Sequence, residues 1–281
     1  MPRTLENLRR IFIGTVAVAL TFTAAGAEAQ ELDAAAGPVA VFTDDFESGN
    51  LCTWSGGAGF PPVCPYNFFC AGDVAPTSAV DPLTVAGAVT DLISGNPLAG
   101  ATVEARRLAG GTLLDTDTTA GDGSFSLTAS TGGTPLAAYL QLAASGYPAT
   151  YFYPADPFAA DVAGVGVRAI NSSSLALAYV FAGIGAQTPG TGTSAAIVTD
   201  CNGVAIAGAT VGFSPAAGAL RYLSGGTPSP SATSTDASGI AIGFNAPAGN
   251  TSVSAQFNGV SLESHGFVVT AGGLIGTLIH P

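Results

Sequence analysis

A short pattern of strand-forming and turn-forming residues occurs twice in this chain, and it limits the fold more than any other feature. In the first copy, Val85 to Asp91 alternates apolar and small residues, Ser94-Gly95-Asn96-Pro97 reads as a turn, and Leu98 to Ala105 reads as a second strand. Thr119 then precedes the turn Gly121-Asp122-Gly123, and Ser124-Phe125-Ser126-Leu127 alternates with a period of two. Leu136 to Ala144 adds a further strand, followed by Ser145-Gly146-Tyr147-Pro148. Strands of this size at this spacing predict an antiparallel sandwich.

The second copy keeps the same order. Thr199-Asp200 answers Thr90-Asp91 at a distance of 109 residues, Ala207 to Val211 answers Ala99 to Val103 at 108, and Thr235-Asp236 answers Thr119 onward at 116. The larger last offset places a longer loop around Leu220 to Pro230. Val253 to Phe257, Gly266 to Val269 and Leu274 to Ile279 supply the closing strands. Repetition of one supersecondary plan means two sandwiches, or one duplicated unit. Between the copies, Ser172-Ser173-Ser174 can cap a helix from Leu175 to Ala182, ended by Gly183 and Gly185, with Leu175, Tyr179 and Ile184 on one face. Thr188 to Gly192 is the linker.

The first copy also carries a family resemblance. V-x-G-x-V-T-D from Val85, G-x-P-L-A-G-A-T-V from Gly95, T-T-x-x-D-G-x-F-S-L from Thr118 and L-x-A-x-G-Y ending at Tyr147 resemble the carboxypeptidase regulatory-like domain over about residues 84–154. The resemblance implies a transthyretin-like (prealbumin-like) sandwich related to starch-binding-type domains, used as an accessory module beside peptidases, transporters and adhesins. Its recurrent residues are turn glycines and alternating strands, so it nominates no catalyst. The second copy is the more diverged.

The first 29 residues read as a secretory signal peptide. Arg3, Arg9 and Arg10 precede an apolar run from Ile11 to Ala25, and Ala27-Glu28-Ala29 offers small residues for cleavage before Gln30. The run is shorter than the ~20 residues a spanning helix needs, so no membrane span is expected after cleavage. Removing Arg3, Arg9, Arg10, Glu6 and Glu28 from seven basic and nineteen acidic residues leaves four Arg against seventeen acids, a net charge of −13. Such a surface repels phosphate backbones, which argues against nucleic acid as a partner. Cys52, Cys64, Cys70 and Cys201 are the disulfide candidates of an exported protein. Three lie close together, so one local bridge is expected within residues 52–70, and Cys201 either reaches back to that region or stays free. Their spacing matches no zinc motif.

Residues 30–83 are Gly-, Pro- and Cys-rich. Within them, Asp44-Asp45-Phe46-Glu47-Ser48-Gly49 with Leu51 and Trp54 resembles an opening found at the start of many bacterial secreted and surface proteins. Asp44, Asp45 and Glu47 are hard oxygen donors and the one calcium candidate, although no second set of ligands accompanies them. The preferred reading is an edge strand whose Phe42, Phe46 and Trp54 cover a neighbouring core while the acids face water.

Catalytic chemistry has little to work with. His265 and His280 are the only histidines, Lys is absent, and neither H-E-x-x-H nor G-x-S-x-G occurs. Without Lys, neither Schiff-base catalysis nor a Lys–Asn isopeptide cross-link can form. Asp91, Asp122, Asp200 and Asp236 lie in turns, where the plain role of a carboxylate is to accept backbone N–H bonds. The expectation is therefore a protein without enzyme activity, cofactor or resident metal.

The reading that follows is an all-β chain of two tandem antiparallel sandwiches with a short helix between them. It comprises a signal peptide (1–29), the Cys/Gly/Pro-rich segment (30–83), a regulatory-like sandwich (84–160), a connector with the helix (161–192) and a second, diverged sandwich (193–281). The expected function is a secreted structural or interaction protein of the extracellular space, cell surface or periplasm, meeting another surface or extracellular protein. The alternative is a carbohydrate-binding module that stacks polysaccharide on Tyr147, Tyr151, Tyr153 and Trp54.

Overall fold

The computed structural model describes residues 66–281 apart from Phe69. The signal peptide, Trp54, the calcium candidates Asp44, Asp45 and Glu47, and Cys52 and Cys64 therefore lie outside the described residues.

Seven strands build the first sandwich: β1 (Leu83–Asp91), β2 (Thr102–Arg107), β3 (Leu113–Thr118), β4 (Ser124–Ala129), β5 (Ala138–Ala143), β6 (Thr150–Tyr153) and β7 (Val162–Ala169). One sheet has the order β4-β1-β7, and facing it is a run of β3-β2-β5-β6. The period-two pattern decides which residues meet between them. Phe125, Leu127 and Ala129 of β4 are buried while Ser124, Ser126 and Thr128 are exposed. Leu83, Val85 and Val89 pack with Val103, Leu140, Leu142 and Phe152 in the same core. Burying such side chains contributes about 1.5–3 kcal/mol each.

β2 begins at Thr102 and not at Leu98. The intervening residues make the turn, in which the Gly100 N–H donates to the Thr119 carbonyl at 2.9 Å. β7 completes this sandwich by pairing in parallel with β1. It occupies the stretch expected to be connector, because Gly164 and Gly166 interrupt the apolar alternation that marks the other strands.

The helix α1 (Ser172–Phe181) follows, capped by the side chain of Asn171, which accepts from the Ser174 N–H at 2.9 Å. The cap is thus one residue before the serine run. Leu175, Ala178 and Tyr179 are its buried residues, and Ile184 packs on the same cluster. Tyr179 meets Phe244 edge to face at 4.8 Å between ring centroids, and its hydroxyl hydrogen-bonds Thr193 Oγ1 at 2.8 Å.

The second sandwich comprises β8 (Thr191–Val198), β9 (Thr210–Ser214), β10 (Ala219–Ser224), β11 (Thr227–Ser229), β12 (Ile240–Pro247), β13 (Gly249–Phe257), β14 (Val260–Ser261), β15 (His265–Val269) and β16 (Leu274–Ile279). Its pairings repeat those of the first. β8 is antiparallel to β12 and parallel to β16, as β1 is to β4 and β7. β13 joins β9 and β15, as β5 joins β2 and β6. The same turn glycine recurs too. Gly123 and Gly239 have φ of +78° and +68°, and a Cβ there would lie 2.4 Å from the Val89 carbonyl oxygen and 2.5 Å from that of Val198. Only glycine fits either place.

One strand departs from the repeat. β3 pairs with β2, whereas its counterpart β10 pairs with β12 and so joins the opposite sheet. The stretch expected to be a loop around Leu220 to Pro230 is the β10–β11 hairpin.

The two halves are not separate beads. β6 pairs in parallel with β16, Leu274 opposite Thr150 through Thr277 opposite Tyr153, which makes one nine-stranded sheet, β11-β10-β12-β8-β16-β6-β5-β2-β3. The first core accordingly extends onto the second half through Ile197, Leu223, Ile240 and Leu278.

Tyr66, Asn67, Phe68 and Cys70 precede the first sandwich in sequence yet dock on the second. Tyr66 and Phe68 pack on Phe257 at 5.5 and 5.8 Å, and the Asn67 N–H donates to Asp200 Oδ2 at 2.8 Å. Cys70 is bonded to Cys201, which closes a loop of 131 residues. Of the connectivities open in the sequence, this is the one in which Cys201 reaches back.

Candidate functional site

The aromatic residues near the seam are placed by β5 and β6. Alternation along β6 sends Phe152 into the first core and leaves Tyr151 and Tyr153 on the other face of the sheet. Tyr153 is only 4% exposed. It stacks on Tyr139 of β5 at 4.9 Å and leans on Phe267 of β15 at 5.7 Å, and Phe267 meets Phe213 of β9 at 6.4 Å. The Tyr153 hydroxyl donates to the Val268 carbonyl at 3.4 Å. Burial pushes this phenol up to about 12. Tyr151 is half-buried, tilted against Tyr139 at 6.3 Å. The rings form a row that crosses from one sandwich to the other.

Tyr147 is half-buried and lies apart from that row. Its hydroxyl donates to Asp91 Oδ2 at 2.9 Å. Burial of Asp91 opposes ionisation, but hydrogen bonds from the Ser94 and Ile93 amides, the Tyr147 hydroxyl and the Ser94 hydroxyl outweigh it and hold the carboxyl below its ordinary value. Tyr147 is raised by its own burial and then by Asp91. Trp54, the fourth aromatic candidate, lies outside the described residues.

The turn acids do what their positions predict. Asp200 Oδ1 accepts from the amides of Asn202 and Val204, Asp236 from that of Ser238, and Asp122 from that of Ser124.

A cleft of about 440 Å³ opens where β6 and β16 end side by side. It is lined by Pro154, Asp156, Phe158, Asp200, His280 and the Cys70–Cys201 disulfide. Here His280 Nε2 donates to Asp156 Oδ2 at 2.7 Å. That hydrogen bond raises the imidazole and lowers the carboxyl, so it favours the charged form of each partner. Asp200 is committed to its turn and the cysteines to each other. The cleft thus presents one hydrogen-bonded His–Asp pair, a disulfide and apolar walls. His265 stands apart, hydrogen-bonded to Thr277 Oγ1 and lowered by burial toward its neutral form. Among the described residues, no group of three or more His, Cys, Asp and Glu could hold a metal ion. No helix of these residues is long and apolar enough to cross a membrane.

The Asp156–His280 pair was not foreseeable from spacing, since 124 residues separate the partners. It follows from the parallel register of β6 and β16, which sends the residues after Tyr153 and Thr277 out at the same end of the sheet.

No protein-family model matches the chain, and no curated protein does. The family resemblance of the first copy therefore rests on its own motifs. Similar solved structures include a shaft pilin, SpaA from Lactobacillus rhamnosus GG, at 14% identity over 71% of this chain and 98% of that one, with a TM-score of 0.24. The Bacillus anthracis TIE protein is similar at 15% identity over 71% of this chain and 34% of that one, TM-score 0.24. Hydroxyquinol 1,2-dioxygenase from Pseudomonas putida DLL-E4 is similar at 15% identity over 35% and 59%, TM-score 0.26, so the chain spans less than two thirds of that enzyme. Overlaps this loose bear on neither activity nor partner.

Proposed function

We propose that this chain is a non-catalytic structural or interaction protein of the secreted or cell-surface compartment, built from two regulatory-like sandwiches, whose loops and end cleft meet another extracellular or surface protein. The observation that carries the reading is the β6–β16 ladder together with the aromatic row packed beside it. Rings that fill the seam between two halves stiffen a spacer and have little face left for a sugar. The Cys70–Cys201 bridge supports an oxidising compartment, where such bonds persist. The turn carboxylates, each held by backbone amides, serve the fold and not a reaction.

The test pairs fractionation of the native protein, run without reductant, with a glycan array on the purified chain. An exported, disulfide-bonded protein with no glycan specificity supports a scaffold. A specific glycan signal lost in Tyr147→Ala or Tyr151→Ala would replace this reading with carbohydrate binding.

A further inference from the structure

A strand at the end of a sheet leaves backbone N–H and C=O groups open to pairing. Several such edges are occupied here. On β4 the Ser124, Ser126 and Thr128 amides donate to the carboxylates of Asp122, Asp117 and Asp115 at 3.0, 2.8 and 2.7 Å. On β9 the Val211 amide donates to the Tyr222 hydroxyl, and on β15 the Val268 carbonyl accepts from the Tyr153 hydroxyl. β11 is three residues long and includes Pro228.

The edge of β7 differs. Among the described residues β7 pairs with β1 alone, and the Ala169 carbonyl turns to the Leu92 N–H on that side. Alternation gives Val165 and Val167 the same orientation, with their side chains in the first core. Gly166 and Arg168 therefore point their backbone groups over the free edge, and the Arg168 side chain turns away from the core. Beside this edge lies an open apolar chamber of about 160 Å³, between the bridging sheet, α1 and the β10–β11 hairpin. Leu175 and Ala178 of α1, Ile197 of β8 and Ile242 of β12 are among its walls, and Gly166 and Arg168 border it. An unpaired edge over an apolar floor suits an added strand, whose main chain bonds the edge while alternate side chains fill the pocket.

We infer that the chamber is filled by this chain's own leading segment, residues 39–43, added along β7 with the Phe42 ring between the sheet and α1. Val39-Ala40-Val41-Phe42-Thr43 is rich in β-branched and aromatic residues, carries no charge and ends at Asp44. A dry void of about 150 Å³ takes up benzene, and Phe42 supplies a ring of that size. Ala40, two residues away, falls on the same face of the strand. Phe42 lies 24 residues before Tyr66, where the chain docks on the second sandwich. Fully extended, that stretch spans about 80 Å, against a radius of gyration of about 17 Å for a compact unit of this size. The segment therefore reaches β7 of its own chain, and the tether favours that chain over a second copy by effective concentration. The site is independent of the scaffold reading, since it fills an edge inside the molecule whatever the outer surface meets.

The test is made on the full chain, purified without reductant, by backbone hydrogen exchange and photo-crosslinking. The Gly166 and Arg168 amides should exchange about tenfold or more slowly in the unmodified chain than in Phe42→Asp, with amides at the centre of β1 unchanged. Phe42→Leu keeps an apolar occupant and should retain the protection. Benzoylphenylalanine at position 42 should crosslink under ultraviolet light to α1, β7 or β12 within one chain, a readout that stands even if Phe42→Asp fails to fold. Equal exchange at Gly166 and Arg168 in the unmodified chain and in folded Phe42→Asp would overturn the proposal. So would crosslinks confined to other surfaces, or crosslinks joining two chains, the last giving the chamber to a second copy.

Discussion

Thr119 and Thr235, one from each sandwich, make the same pair of hydrogen bonds. The Thr119 hydroxyl donates to the Leu98 carbonyl at 2.6 Å and accepts from the Ala101 N–H at 2.9 Å. The Thr235 hydroxyl donates to the Ile206 carbonyl at 2.7 Å and accepts from the Ala209 N–H at 2.9 Å. Both residues are 4% exposed. Each threonine ties the start of a strand to the turn before it, which is why the T-x-x-D/S-G pattern is legible in both copies.

Thr119→Val and Thr235→Val keep the shape and leave the buried amides of Ala101 and Ala209 unsatisfied. Each should cost about 1–3 kcal/mol. Chemical denaturation of the two variants measures this, and similar losses are expected because the environments match. Unchanged stability in either would show that its hydroxyl contributes nothing.

The Cys70–Cys201 bridge joins the leading segment to the second sandwich across 131 residues. A loop of that length corresponds to about 5 kcal/mol in the chain-entropy account, and native bridges typically deliver 2–5 kcal/mol. The double variant Cys70→Ser with Cys201→Ser should lose an amount in that range in denaturant. It should also make the leading segment at Tyr66–Phe68 more open to proteolysis, since only ring packing on Phe257 and hydrogen bonds such as Asn67 N–H to Asp200 and Ala207 N–H to the Tyr66 hydroxyl then hold it.

Removing the Tyr153 ring leaves a hole in the seam between Tyr139 and Phe267. Tyr153→Ala should cost about 3–5 kcal/mol, as for large aromatic truncations in a core. Tyr153→Phe keeps the stack and loses only the bond to the Val268 carbonyl, so it should cost about 1 kcal/mol. In an ultraviolet pH titration, Tyr153→Phe should remove a phenol that ionises at about pH 12.

The two histidines give stability opposite dependences on pH. His280 is raised by Asp156, so its contribution is full below about pH 6.5 and fades as pH rises through its folded value. Asp156 is lowered, so its share is present above the usual carboxylate value and is lost as pH falls through the folded one. Since the Asp156 side chain is 56% exposed, the pair should contribute no more than about 1 kcal/mol. His265 is lowered by burial and favours the fold above about pH 6.5, losing that share as pH falls through its folded value. Urea melts from pH 5 to 8 should show His280→Gln losing most stability at the acid end and His265→Gln becoming relatively more stable there. A deficit in His280→Gln that grows toward pH 8 would contradict the assignment.

Local rules made much of this fold readable. Asp91 and Asp200 mark equivalent turns because a short carboxylate accepts nearby amides wherever the chain reverses. Strand alternation separated Phe152 from Tyr151 and Tyr153. What the sequence could not give depends on long-range pairing. Nothing local distinguishes β10 from β3, yet β10 joins the opposite sheet, and nothing near Cys70 points to Cys201. The Asp156–His280 pair and the fused sheet both follow from β6 meeting β16, a contact that no periodicity encodes.

That contact is tested most directly by hydrogen exchange of the backbone amides in β6 and β16. If the nine-stranded sheet is continuous, both strands are interior. Their amides should then exchange only as slowly as those at the centres of β1 and β8, by opening of the whole unit. Rapid exchange of alternate amides in Thr150–Tyr153 or Leu274–Ile279, the mark of an open strand edge, would contradict the account and return the chain to two independent sandwiches.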